Sequence, residues 1–99
     1  MITIQNIIEF SKEHPSLRNG RVTRIGNNNV EFSIVGGTSG LYGDFINEFE
    51  VAIFDKENNE FITKFFYPDI LDDVIAYMPK EDLEVLINKV LRSNDFQVR

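Results

Sequence analysis

The sequence predicts an α+β fold with element order α-β-β-β-β-α-α: a four-stranded antiparallel meander with one N-terminal and two C-terminal helices. Three observations lead there. Val30-Glu31-Phe32-Ser33-Ile34 and Glu48-Phe49-Glu50-Val51-Ala52-Ile53 alternate apolar and polar residues, as half-buried strands do. After Pro68 the apolar residues recur at three and four, the period of a helix. The 99 residues are 42% hydrophobic, with nine Phe and three Tyr, which is material for one core and not two. A single domain over residues 1–99 is expected.

Thr3 is placed to cap a first helix in which Ile4, Ile7 and Ile8 form a stripe widened by Phe10. That helix, Thr3 to Glu13, should stop before Pro15, and Asn19-Gly20 should turn the chain into a strand from Arg21 to Ile25. Taking Asn27-Asn28 as a two-residue hairpin loop pairs Ile25 with Val30 and Thr23 with Phe32, and sets Arg24 opposite Glu31 on the outside. In the next hairpin, a four-residue loop would place Lys64 on the buried face opposite Val51. A five-residue loop, Asp55–Asn59, pairs Ile53 with Phe61, Val51 with Thr63 and Phe49 with Phe65, and sets Glu50 against Lys64 outside. The strand Phe61 to Tyr67 follows from it.

Asp69 reads as the N-cap of a helix with Asp72 in its first turn and Ile70, Leu71, Val74, Ile75 and Met78 on its inner face. Pro79 interrupts it. A last helix opens near Lys80, buries Leu83, Leu86, Ile87, Val90 and Leu91, and ends at Ser93 or Asn94.

The net charge of −6 is concentrated: residues 29–84 carry thirteen acidic side chains against three lysines, while both ends are weakly basic. An acidic middle repels nucleic-acid phosphate and attracts basic protein surfaces, so direct nucleic-acid binding is disfavoured. The chain has no Cys, which removes disulfides, thiolate metal sites and thiol nucleophiles together and fits a reducing, cytoplasmic setting. Met1 to Gln5 lack a basic leader, and no apolar run approaches membrane-spanning length. No membrane association is expected.

No residue grouping carries catalysis. Gly36-Gly37-Thr38-Ser39-Gly40-Leu41-Tyr42-Gly43 is glycine-rich, but no Gly-Lys-Ser/Thr closes it and it joins strand to strand, so phosphate-loop fingerprints fail. It reads as a flexible connection that presents Leu41 and Tyr42 as interface anchors. His14, the only histidine, lacks partners for a triad or a metal. The pairs Asp72-Asp73 and Glu81-Asp82 have a sufficient explanation in helix capping, and no calcium loop is present. No cofactor, metal or catalytic residue is assigned.

What remains describes a protein that sits on another protein. The expected binding residues are Leu41, Tyr42, Glu48, Glu50, Phe54, Phe66, Asp69, Asp72, Asp73, Glu81, Asp82 and Glu84. The outer sheet face, with Val35, Ala52, Phe54, Ile62 and Phe66, should meet a heteromeric partner or a second copy in a homodimer. The leading expectation is an immunity-type inhibitor that neutralises a basic, nucleic-acid-acting toxin. A phage-type anti-defence inhibitor, mimicking nucleic-acid charge in a basic groove of a host nuclease, is the alternative. A small-ligand-binding or enzymatic domain closing the Gly36–Gly43 loop over a pocket is the reading from another class.

Overall fold

Asn27 decides the register of the first hairpin. In the computed structural model, which describes residues 1–92 and 95–99, its Oδ1 accepts the N–H groups of Asn29 (2.8 Å) and Val30 (2.9 Å), and its own N–H donates to Val30 O. This side-chain turn makes Asn28-Asn29 the loop, not Asn27-Asn28. Strands β2 (Arg21–Gly26) and β3 (Val30–Gly36) therefore pair two residues away from the expected register, with Arg24 opposite Ser33 and Gly26 opposite Glu31. A shift of two keeps each side chain on its face. Thr23, Ile25, Phe32 and Ile34 are fully buried in the core.

Thr3 caps α1 (Ile4–Glu9) as expected: its hydroxyl accepts the Asn6 N–H, and Asn6 Oδ1 accepts the Thr3 N–H. The helix is shorter than Thr3 to Glu13. The Ser11 hydroxyl donates to Ile8 O, and the Arg21 guanidinium donates to the Ser11 carbonyl at 2.9 Å. The chain turns there, and Lys12–Glu13 form β1 against Val22 and Arg21. His14 Nδ1 accepts the N–H groups of Ser16 and Leu17, so the lone histidine shapes a turn.

β4 (Glu48–Asp55) pairs with β3, Phe32 facing Ile53 and Ile34 facing Val51. Beyond it the expected strand Phe61–Tyr67 is replaced. The loop is Lys56–Asn59, four residues, because Asp55 N–H donates to Glu60 O and Ile62 N–H to Ile53 O. Continuing that register would drive Lys64 onto the buried face opposite Val51. The chain avoids this at Thr63, whose Oγ1 accepts the Ile53 N–H at 2.9 Å and ends the ladder with a side chain. Thr63–Phe66 then coil into a single turn, α2, that leaves Lys64 exposed, so neither Glu50–Lys64 nor Phe49–Phe65 pairs.

The edge of β4 is taken instead by β5 (Ile75–Pro79), inside the stretch expected to be a helix. Ile75 and Met78 are both buried although they lie three apart, which a strand permits only through a bulge. The irregularity lies opposite Phe49 to Val51, with Tyr77 at φ 52°. Asp69 to Val74 make turns rather than a helix, and Leu71, expected on an inner face, is 100% exposed. Of the two expected C-terminal helices only the second forms.

That helix, α3 (Lys80–Leu91), buries Leu83, Leu86, Ile87 and Leu91 as its spacing requires, each such side chain contributing roughly 2 kcal/mol. Val90 is partly buried, and the expected stop at Ser93 or Asn94 lies outside the described residues. β6 (Gln97–Val98) pairs with β2 at Ile25 and Gly26. Among the described residues the result is an α+β architecture of six antiparallel strands, ordered β1-β2-β3-β4-β5 with β6 also on β2, and three helices. α1 and α3 cover the inner face and are tied together there. Ile2 N–H donates to Asn88 Oδ1, Asn88 Nδ2 donates to Ile2 O, and Ile4 N–H donates to Glu84 Oε2. Thr23 Oγ1 joins this layer to the sheet by donating to Ile7 O at 2.7 Å. Among the described residues no helix is long and apolar enough to cross a membrane.

Candidate functional site

The outer face of the sheet, opposite the helices, is built of three cross-strand rows. Reading from β2 through β3 to β4 these are Val22, Val35 and Glu50; Arg24, Ser33 and Ala52; and Gly26, Glu31 and Phe54. Val35 and Ala52 are buried by the chain itself. Ile62 and Phe66, expected on this face, pack against the core instead, leaving Phe54 as its aromatic residue within β4.

At the Glu31 end the groups are satisfied internally. Glu31 is 2% exposed, and its Oε2 accepts from Arg24 Nε (2.8 Å), Arg24 Nη2 and Arg99 Nη1 (3.1 Å). The Arg24 guanidinium also lies 5.3 Å from the centroid of the Phe54 ring, which stacks on Phe61 at 4.5 Å. A carboxylate, two rings and arginine thus form one assembly. The expected Arg24–Glu31 pair exists on the outer face, but diagonally across the hairpin, with its carboxylate buried under Arg24 and Arg99.

At the Glu50 end the glycine-rich loop folds over the sheet. It is held by backbone bonds from Gly37 N–H to Gly43 O and from Leu41 N–H to Thr38 O, which replaces the expectation of a merely flexible connection. Gly43 is required there: a Cβ on it would meet Glu48 O at 2.5 Å. Tyr42 N–H donates to Glu50 Oε1 at 3.1 Å, and Tyr42 O accepts the Tyr77 N–H at 2.9 Å. The two rings stand 5.7 Å apart at 57° and remain 47% and 54% exposed.

The backbone around this pair is strained. Phe45 at φ 63° and Tyr77 at φ 52° are the aromatic residues with positive φ among those described, a conformation costing roughly 1–3 kcal/mol for such side chains. Phe45 is held by burial against Phe49, edge to face at 5.1 Å. Asp44 Oδ1 shapes the same turn by accepting the N–H groups of Glu48, Asn47 and Ile46. Those bonds, the Glu48 N–H foremost, hold the Asp44 carboxyl below its usual value of 3.8.

Of the expected binding residues, Leu41, Tyr42 and Glu50 come together here, with Glu48 at the start of the same strand. Phe54 lies at the Glu31 end. Phe66 and Asp82 line one depression beside α3, with Tyr67, that neither Tyr42 nor Tyr77 lines. Asp69, Asp72 and Asp73 sit in the turns before β5, where Asp72 Oδ1 accepts the Asp73 N–H. Glu81 and Asp82 occupy the first turn of α3 as expected, and Glu84 is engaged in holding α1. The spacing of the sequence does not reveal Tyr77, because its neighbours imitate a helix. The Asp44 turn has a signal, an acidic residue followed by a strand after three positions.

An open groove of 690 Å³ lies elsewhere, between α1 and α3, with Ile4, Ile8, Ile46 and Val85 along it and Glu81 and Glu84 beside them. None of Gly36–Gly43 lines it. Among the described residues no group of three or more His, Cys, Asp or Glu side chains could hold a metal ion. Comparison with known proteins found no protein-family model, no curated protein and no solved structure that matches this chain.

Proposed function

We propose that this chain is a small acidic binding protein of the immunity type, which occupies and inhibits a basic, nucleic-acid-acting protein. The observation that carries the reading is the Tyr42–Tyr77 pair, half exposed, fixed by the Tyr77 N–H donating to Tyr42 O and the Tyr42 N–H donating to Glu50, with Tyr77 on strained backbone. Tyrosines held rigidly in this way are low-entropy interface anchors, and strain of this kind persists where the surrounding structure enforces one geometry. The carboxylates of residues 29–84 other than Glu31, which is buried against Arg24 and Arg99, supply the long-range attraction for a basic partner. Charge mimicry of nucleic acid by a phage-type anti-defence inhibitor would draw on the same carboxylates.

The test is capture of the partner from host extract followed by assay of its activity. The wild-type chain should retain a basic toxin or nuclease and inhibit it stoichiometrically, and Tyr42→Ala/Tyr77→Ala should do neither while keeping its fold. A captured partner that remains fully active in the complex would contradict an inhibitory role.

A further inference from the structure

The two ends of the outer face use the same parts. At one end the Arg24 guanidinium donates from its edge to the carboxylate of Glu31 and lies over the ring of Phe54, which itself packs against Phe61. At the other end a pair of rings, Tyr42 and Tyr77, stands beside the carboxylate of Glu50. Among the described residues no lysine or arginine pairs with Glu50. The rings meet at 57° and so form a corner rather than a flat stack.

We infer that the Tyr42–Tyr77–Glu50 corner binds an arginine side chain of the partner protein. The inference rests on the protein-binding reading above and names the group that is recognised. Three physical points select a guanidinium. The corner combines two half-exposed tyrosine rings with an adjoining carboxylate that, among the described residues, has no internal cation, so the occupant is cationic. A guanidinium is planar, stacks on a ring while donating in its own plane, and is more weakly hydrated than an ammonium, so it loses less on leaving water. The chain already solves this problem with arginine at Arg24, over Phe54 and against Glu31. Glu50 Oε1 is committed to the Tyr42 N–H, an arrangement that fixes the carboxylate before the cation arrives.

The test uses the full chain and three probes followed by NMR at Tyr42 and Tyr77: acetyl-Gly-Arg-Gly amide, the same peptide with citrulline, and the same peptide with lysine. The arginine peptide should shift both sets of ring signals saturably at millimolar concentration, and the neutral citrulline peptide should not. Glu50→Gln retains an oxygen for the Tyr42 N–H while losing the charge, so it should weaken the arginine peptide about tenfold with an unchanged backbone spectrum. Tyr77→Leu, a second variant, should weaken it by a similar factor. Equal response to citrulline, equal response to lysine, or no saturable response overturns the inference. If the arginine peptide fails while partner capture still requires both tyrosines, the corner is disproved and the protein-binding reading stands. If it succeeds while the partner ignores both tyrosines, the corner is supported and that reading falls.

Discussion

Glu31 and Glu50 lie on the same face of the same sheet, yet their surroundings give them opposite tasks. Glu31 is buried, shared between Arg24 and Arg99, and keeps a second oxygen buried without a hydrogen-bond partner. Glu50 is half-buried, holds a loop through one N–H, and stands beside two exposed rings. The lesson is that residue type and face do not distinguish a carboxylate buried in an internal ion pair from one left, among the described residues, without an internal cation. What distinguishes them is whether the chain supplies the cation.

The comparison breaks most sharply at Arg24. Arg24→Ala leaves Glu31 in the interior with Arg99 alone, and should cost about 3 kcal/mol of unfolding free energy by denaturant titration, with partner affinity unchanged in the folded fraction. An unaltered midpoint would show that the Glu31 end is not structural. Next in size, Tyr42→Ala should weaken partner binding by about 2 kcal/mol in calorimetry while shifting stability by less than about 1 kcal/mol. Unfolding would place Tyr42 with the core, against its 47% exposure.

Tyr77→Gly sharpens the comparison from the backbone side. Glycine removes the cost of φ 52°, so stability should stay within about 1 kcal/mol of the parent while partner affinity falls. A loss of several kcal/mol would mean that the ring serves packing. Reversal of Asp72, Asp73, Glu81 and Asp82 to Lys should mainly slow association and reduce its salt dependence, because these carboxylates, exposed except for the half-buried Asp73, would act at a distance. An association rate that does not respond to ionic strength removes the steering role.

The smallest effect concerns acid. Asp44 is held below 3.8 by three backbone N–H groups, so its folded pKa lies under its unfolded one. The stability it contributes is present above the unfolded value and is lost as pH falls through the folded value. Titration by NMR should give an Asp44 midpoint below 3.8, with the amides of Ile46, Asn47 and Glu48 moving at the same pH. A midpoint at or above 3.8 would deny the turn its role in shaping the loop.

Much of the fold was legible, and the failures have physical causes. Alternation placed β3 and β4, and the helical stripe placed α3, because each buries one face and repeats its period over many residues. Parity also chose the right faces of the first hairpin, but not its loop, since Asn27 and Asn28 offer the same turn chemistry and only the side-chain bonds of Asn27 separate them. A four-residue loop puts Lys64 on the buried face only if the chain stays in the sheet. Thr63 shows the other outcome, in which the chain departs one residue before the misplaced lysine. Ile75 and Met78 misled because a bulge adds one residue and converts strand period two into a local three. Of the candidate surface, Leu41, Tyr42 and Glu50 were legible as an exposed loop and an outward carboxylate. Tyr77 was not, since the contact between β5 and the loop depends on that same bulge.

Amide hydrogen exchange of the free chain and of its complex with the captured partner tests the division of the outer face most directly. The account expects new protection in Gly37 to Glu50 and in Ile75 to Pro79, where Tyr42 and Tyr77 lie, and none at Arg24, Glu31 or Gln97–Val98. Protection that appears at the Glu31 end and spares the tyrosines would contradict it.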